Sequence, residues 1–178
     1  MEEDVGEVLI TREEIREKTE ELARQITADY QDRDLLLVCV LKGGLMFLAD
    51  LMRQIRLPLE IDFMAVSSYG DSTESSGVVR ILMDLETNIQ GRDVLIVEDI
   101  IDTGRTLNYI IQNLLTRRPA SLKICTLLNK TARRVLDIPV DYMGFEIPDK
   151  FVIGYGLDYG QIYRNLPFVG VLKPELYS

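Results

Sequence analysis

The sequence predicts an α/β fold built on a mainly parallel, twisted sheet with helices against its faces. The apolar runs at 35–41 and 94–97, and the largely apolar run at 122–128, are typical of strands that are covered on both sides. Helical patterns stand between these runs, so strand, crossover helix and strand recur along the chain. With 178 residues, we expect residues 1–178 to form a single domain.

The sequence pattern of the first half of the chain predicts two helices and three strands. Thr11 and Glu14 have the spacing of a capping box, and apolar residues recur at helical spacing as far as Ile26, which predicts a helix ending near Tyr30. A polar, glycine-bearing segment at 67–77 is predicted to be a mobile loop between two paired strands. The remaining elements are a strand at 35–41, a helix at 46–55 and strands at 60–66 and 78–83.

In the second half, the alternation of strands and helices continues and is then replaced by shorter elements. A strand at 94–97 is followed by a glycine-containing turn, a helix from about Arg105 to Thr116 and a strand at 122–128. The last third, which contains four of the prolines, predicts short strands and turns. Two strands of the predicted sheet end in glycine-bearing loops, at 42–44 and 102–104. Ligands of such sheets bind beyond the carboxyl ends of the strands, so a phosphate-rich ligand is expected there.

Composition excludes several classes of function. The net charge of −9 argues against binding to nucleic acid, because phosphate backbones favour clustered cations. The absence of histidine excludes His-based zinc sites and catalytic triads that contain histidine. Cys39 and Cys125 lie in apolar runs and are expected to be free and buried, with a disulfide between core strands as the alternative. An acidic N-terminus and apolar runs well short of 20 residues predict a cytoplasmic protein with no membrane partner.

The segment 94–106 reads Val-Leu-Ile-Val-Glu-Asp-Ile-Ile-Asp-Thr-Gly-Arg-Thr. Adjacent carboxylates at Glu98 and Asp99 can accept hydrogen bonds from a ribose diol or hold a divalent cation. Thr103, Gly104 and Thr106 lie where a strand turns into a helix, so free amides and hydroxyls there can bind a phosphate. An N-cap alone would explain Asp-Thr-Gly, but it would not explain three acids at a buried strand end.

This segment resembles the phosphoribosyl-pyrophosphate motif of type I phosphoribosyltransferases, and the rest of the chain resembles the hypoxanthine-guanine branch of that family. The resemblance runs from about residue 35 onward, through the stretches at 40–44, 67–69, 128–130, 144–152, 154–159 and 163–167. It implies the type I phosphoribosyltransferase fold, with a small hood from the terminal segments and a flexible active-site loop. It also implies transfer of the 5-phosphoribosyl group from phosphoribosyl pyrophosphate to hypoxanthine or guanine, which gives IMP or GMP and pyrophosphate.

The resemblance also implies a role for each matching residue. Asp102 would be the general base or acid at purine N7, and magnesium would be bound by Glu98, Asp99 and Asp158. Lys130 would donate to the purine 6-oxo group, Phe151 would stack on the ring, and the Val152 backbone and Asp158 would border its edge. The residues implied to bind the phosphoribosyl and pyrophosphate groups are Leu41, Lys42, Gly43, Ser68, Tyr69, Glu98, Asp99, Thr103, Gly104, Arg105, Thr106 and Arg164.

Three alternatives stay open at this stage. A related enzyme that prefers xanthine or adenine would share most motifs, although a cation at Lys130 disfavours the 6-amino group of adenine. A nucleotide-sensing regulator would need a basic face or an added DNA-binding domain. A kinase-like nucleotide binder would need a Gly-x-x-x-x-Gly-Lys-Ser/Thr loop, which the chain lacks. The family resemblance further implies a homodimer or homotetramer.

Overall fold

A computed structural model describes residues 1–68 and 79–177 of the chain. The helices of this part are α1 (Arg12–Asp29), α2 (Leu45–Gln54) and α3 (Arg105–Leu115), with short 3-10 turns at Glu2–Asp4, Thr131–Arg133 and Pro174–Leu176. The strands are β1 (Val5–Ile10), β2 (Leu35–Leu41), β3 (Glu60–Ser68), β4 (Val79–Met83), β5 (Asp93–Ile101), β6 (Ser121–Asn129), β7 (Tyr142–Glu146), β8 (Val152–Ile153) and β9 (Val169–Leu172).

The central sheet has six strands in the order β4-β3-β2-β5-β6-β7. Strands β3, β2, β5, β6 and β7 are mutually parallel, and β4 pairs antiparallel with β3. The prediction of a mainly parallel sheet is confirmed. The prediction that the strands before and after residues 67–77 pair with each other is also confirmed.

Strand β2 is apolar along its whole length because both of its faces are covered. Leu35, Leu37 and Cys39 pack in one core layer with residues of α1 and α2. Leu36, Val38 and Val40 alternate with them and pack in the opposite layer with residues of α3. Because successive side chains of a strand point to opposite faces, a strand covered on both faces must be apolar throughout.

A second, three-stranded antiparallel sheet has the order β1-β9-β8 and forms the small hood that was expected from the terminal segments. Its outer pairing joins Val5 to Leu172, at opposite ends of the described chain. Strand β1 was not predicted from sequence, since the first element assigned was the helix after it. Most of its residues are at least partly exposed, and two register irregularities interrupt its pairing with β9, so it has no regular apolar alternation.

Other predictions need smaller corrections. The strand predicted at 94–97 continues to Ile101, because Glu98 and Ile100 still pair in register with Thr126 and Leu128 of β6. Glu98 and Asp99 therefore lie within the strand rather than at its tip. The other predicted bounds agree with the structure to within two residues, and the capping box of Thr11 and Glu14 is present.

The two cysteines are free and buried, as expected, on the separate strands β2 and β6. Within the described residues, no helix is both long and apolar enough to cross a membrane.

Candidate active site

The carboxyl ends of β2 and β5 open onto a cavity of about 310 Å³, and most of the predicted site residues line it. Arg105, at the first turn of α3, is exposed and does not belong to the lining. The predicted residues that do line the cavity are Leu41, Lys42, Gly43, Glu98, Asp99, Asp102, Thr103, Gly104, Thr106, Asp158 and Arg164.

The loop after β2, at 42–44, which we call the glycine loop, packs directly against β5, the acidic strand that carries Glu98 and Asp99. The Leu41–Lys42 peptide bond is cis. A Cβ atom added at Gly43 would lie only 1.7 Å from Oδ2 of Asp99, so the Asp99 carboxylate can keep this position only beside glycine. Gly156, with φ of +100°, approaches from the other side, since a Cβ there would lie 2.0 Å from the carbonyl oxygen of Gly43.

Glu98, which is buried, and Asp99, which is partly exposed, are adjacent carboxylates on β5. Burial, and then the neighbouring charge of Asp99, raises the pKa of Glu98 well above its usual value. Burial also raises the pKa of Asp99, although the amide of Ile100, which donates to Oδ1 at 2.7 Å, and the charge of Arg164 act in the opposite direction. Two carboxylates that resist ionisation together favour a proton or a cation between them. Hard carboxylate oxygens of this kind fit a magnesium ion.

No three carboxylate or thiolate side chains of the described residues come together as a ready-made metal site. A magnesium ion typically keeps several waters and is held by one or two carboxylates together with phosphate oxygens of the substrate. The donor set of this cavity matches that second arrangement.

Asp102 follows β5 immediately and contacts a buried lysine. Its Oδ2 lies 3.4 Å from Nζ of Lys130, while its Oδ1 is buried and has no hydrogen-bond partner among the described residues. The Lys130 side chain is only 9% exposed; its Nζ is also 3.6 Å from Oδ1 of Asp149 and donates to the carbonyl oxygen of Lys150 at 3.5 Å. A buried polar atom without a partner is costly, so the Oδ1 of Asp102 indicates a position where a ligand donates.

The turn that carries Asp102 accepts hydrogen bonds from residues 134–136, which were not predicted from sequence to have a role. Nε of Arg134 donates to the carbonyl oxygen of Asp102 at 3.0 Å, and the same guanidinium also donates to Asn129. The amides of residues 135 and 136 donate to the carbonyl oxygen of Thr103. Gly104 has φ of +83°, and a Cβ there would lie 2.6 Å from the carbonyl oxygen of Leu136. The turn is thus fixed in place before the first turn of α3.

Opposite the glycine loop, two cations converge on one amide oxygen. Oε1 of Gln161 accepts from Nζ of Lys42 at 3.0 Å and from Nη2 of Arg164 at 3.1 Å. Arg164 also forms a 3.0 Å ion pair with Asp158, and the backbone amide of Gln161 donates to the same carboxylate at 2.9 Å. Gln161 was missed from sequence, because an isolated glutamine in an irregular segment carries no pattern.

A neighbouring cavity of about 320 Å³ is lined by two of the four residues expected to bind a base; Val152 does not line it, and Asp158 lines the cavity at the strand ends instead. Lys130 and Phe151 line it, together with Tyr177, which sequence reasoning also missed. Phe151 is 38% exposed, and Val152 is buried at the start of β8. Lys130 therefore contacts Asp102 on one side and reaches the base cavity on the other.

Two predicted residues cannot be placed in full. Ser68 is the last residue of β3. Tyr69 and the rest of the predicted loop, to residue 77, lie outside the described residues.

A larger cavity, of about 500 Å³, lies between α1, α2 and the segment 155–167. It shares Arg164 with the cavity at the strand ends, but Glu98, Asp99, Asp102 and Asp158 do not line it. Its own carboxylate, Asp50, is paired with Arg53 and accepts a hydrogen bond from Tyr155. The carboxylate chemistry therefore belongs to the smaller cavity.

Comparisons with known proteins agree with this arrangement. The family model of the phosphoribosyl transferase domain matches residues 9–160. The chain is 54% identical to the hypoxanthine-guanine phosphoribosyltransferase of Bacillus subtilis, over 100% of this chain and 99% of that protein. It is 52% identical to the enzyme of the same name from Streptococcus thermophilus, with the same coverage.

Solved structures give the same result. A crystal structure of a hypoxanthine phosphoribosyltransferase from Staphylococcus aureus superposes with a TM-score of 0.96 at 52% identity, over 100% of this chain and 97% of that one. Identity at this level over whole chains, together with the family model, is sufficient to assign membership. The chain therefore belongs to the phosphoribosyltransferase family, in its hypoxanthine-guanine branch.

Proposed function

We propose that this chain transfers the 5-phosphoribosyl group from phosphoribosyl pyrophosphate to a ring nitrogen of hypoxanthine or guanine, with Asp102 as the residue that exchanges the proton at purine N7. The products would be IMP or GMP and pyrophosphate. The observation that carries the proposal is the contact between Asp102 and Lys130, because it brings a proton acceptor and a cation together between the two cavities.

In the proposed reaction, a bond forms between the purine nitrogen and the anomeric carbon while the bond from that carbon to pyrophosphate breaks. The proton that the purine loses would pass to the Asp102 carboxylate, whose Oδ1 is free of hydrogen bonds from described residues. The amides and hydroxyls of Thr103, Gly104 and Thr106 would bind the 5′-phosphate at the start of α3. No protein nucleophile is needed.

The pyrophosphate would lie between the glycine loop and Arg164. The cavity lined by Glu98 and Asp99 is also lined by Lys42, Gly43 and Arg164, which together supply two cations and a backbone segment. Glu98 and Asp99 would bind the ribose hydroxyls or magnesium, and Asp158 would bind magnesium near pyrophosphate. Magnesium, when bound, would neutralise and orient the departing pyrophosphate.

The base would be recognised mainly by Lys130, Phe151 and Val152. A buried ammonium group donates hydrogen bonds and accepts none, so it favours the 6-oxo group of hypoxanthine or guanine over the 6-amino group of adenine. Phe151 offers an aromatic face for stacking, and the Val152 backbone would bond to the edge of the ring.

The test is one assay panel. The protein would be mixed with phosphoribosyl pyrophosphate and magnesium, and with hypoxanthine, guanine, xanthine or adenine in separate reactions, and nucleotide formation would be followed. We expect turnover with hypoxanthine, guanine or both, and much less with adenine. Lack of turnover with all four bases would refute the proposal, and turnover with adenine alone would refute the role of Lys130.

Family membership also leads us to propose a homodimer or homotetramer and a cytoplasmic location. Sedimentation equilibrium of the purified chain would measure the first of these directly. A monomer at micromolar concentration that is fully active would contradict it.

A further inference from the structure

Three aromatic side chains form a cluster at the base cavity. The ring of Tyr177 stacks on that of Phe151, with centroids 4.9 Å apart and planes inclined by 26°. Tyr159 packs edge-on against Phe151 at 5.7 Å and against Tyr177 at 6.5 Å. These separations lie in the range of favourable aromatic pairs. Phe151 therefore has one face and one edge already occupied.

The stacked pair leaves no room for a purine between its rings. A base inserted there would need about 3.5 Å of contact distance on each side, and so about 7 Å between the ring planes. The centroids of Phe151 and Tyr177 are 4.9 Å apart. A purine that stacks on Phe151 must use the opposite face.

Backbone hydrogen bonds fix the position of Tyr177 beside Phe151. The amide of Leu172 donates to the carbonyl oxygen of Phe151 at 3.0 Å, and that of Lys173 donates to Asp4 in the hood at 3.1 Å. Tyr177 caps the 3-10 turn that follows, and its amide donates to the carbonyl oxygen of Pro174 at 3.2 Å. The tyrosine ring is thus attached to the strand pair that also carries the base-stacking residue.

We propose that Tyr177 is a positioning residue for the purine: by covering one face of Phe151, it fixes the plane of that ring and directs the base to the other face. The proposal rests on the role of Phe151 under the proposed function. Tyr177 acts through Phe151 and has no contact with the reacting atoms. Its ring, rather than its hydroxyl, does this.

The experiment compares Tyr177→Ala and Tyr177→Phe by steady-state kinetics with each substrate varied separately. In Tyr177→Ala, we expect the KM for hypoxanthine and guanine to rise about 3- to 10-fold, which is the size of an aromatic pairing effect. The KM for phosphoribosyl pyrophosphate and kcat should stay within about twofold. Tyr177→Phe keeps the ring and should restore the wild-type KM.

Tyr109→Ala is the matched control. Tyr109 is 37% exposed, against 38% for Tyr177, but it lies on α3 and has no aromatic neighbour among the described residues. A double-mutant cycle adds a second measurement: in a Phe151→Leu background, Tyr177→Ala should cause no further rise in the purine KM. Should Tyr177→Ala fail to fold, Tyr177→Leu would be measured with the same expectations.

Three outcomes would overturn the inference. An unchanged purine KM would show that the stack does not matter, and a lower purine KM would show that Tyr177 competes with the base. An equal rise of both substrate KM values would point to a general structural role. Each of these requires an active wild-type protein, whereas failure of the proposed function would appear as lack of turnover in the wild type itself.

Discussion

Nζ of Lys130 lies 3.4 Å from Oδ2 of Asp102, although the two residues follow different strands, β6 and β5. The pair joins the cavity lined by the acidic strand to the cavity expected to bind a base. Lys130 uses one carboxylate oxygen of Asp102, and the other oxygen has no partner in the described part of the chain. The two residues are thereby available for different atoms of one ligand.

Replacement of Asp102 by asparagine should remove most of the turnover. The amide cannot accept the purine proton, so kcat is expected to fall by about 10²-fold or more, while the KM for phosphoribosyl pyrophosphate changes little. Initial-rate kinetics with both substrates would measure this. Asp32→Asn, at an exposed position of positive φ that asparagine tolerates, is the control. Near-wild-type turnover of Asp102→Asn would remove the acid-base assignment.

Replacement of Lys130 by alanine should weaken base binding selectively. The loss of a charged donor to the 6-oxo group is expected to raise the KM for hypoxanthine and guanine by about 10- to 100-fold. The KM for phosphoribosyl pyrophosphate should rise much less. Lys18→Ala, which removes a lysine of a surface ion pair on α1, serves as the control. Equal losses for both substrates would contradict base recognition by Lys130.

Gly43→Ala should increase the concentration of magnesium that activity requires. The added Cβ would meet Oδ2 of Asp99 at 1.7 Å, so the carboxylate must rotate away from its position. The magnesium concentration that gives half-maximal activity is expected to increase about tenfold or more. Gly6→Ala, whose Cβ would meet its nearest atom at an ordinary 3.5 Å, should leave it unchanged. An unaltered magnesium dependence in Gly43→Ala would argue against metal or diol binding by Asp99.

Asp62 should stabilise the fold in a pH-dependent way. Burial alone would raise its pKa, but hydrogen bonds from the amides of Phe63, Glu86 and Thr87, at 2.7, 3.0 and 2.8 Å, hold the pKa below its usual value. The ionised form is therefore favoured in the folded state. Its contribution is complete above the unfolded pKa of about 3.9 and is lost as pH falls through the folded value.

Asp62→Asn should accordingly lower the free energy of unfolding by about 1–3 kcal/mol near neutral pH. The difference from wild type should shrink as pH falls below about 4. Urea titrations across this range would measure it, with Asp32→Asn as the control. A difference that stays constant down to the lowest pH would show that the Asp62 charge is not involved.

Local patterns explain why much of the fold could be predicted. The bounds of β2 follow from an apolar run that two core layers require, and the start of α1 follows from a capping box that involves only neighbouring residues. The acidic motif also predicts its own neighbourhood, since strand, turn and helix N-terminus are continuous in sequence. Glu98, Asp99 and Asp102 line one cavity at the strand ends, although the strand extends further than expected.

The remainder depends on contacts between distant parts of the chain. Arg134, Gln161 and Tyr177 lie in segments without hydrophobic periodicity, and each contacts residues that are more than fifteen positions away. Strand β1 is defined by its pairing with β9 rather than by its own pattern. Such roles arise when the chain is folded, so a single sequence contains no local signal for them.

The hood has a consequence for the order in which the two halves of the site can form. The cavity at the carboxyl ends of β2 and β5 is built largely from 40–107. The hood is complete only when Val5 of β1 pairs with Leu172 of β9, a closure with a large entropic cost and a slow search. During synthesis, the newly made β1 must wait for β9. A nascent chain would thus assemble the part of the strand-end cavity formed by 40–107 before Asp158 and Arg164 join it and before the hood closes.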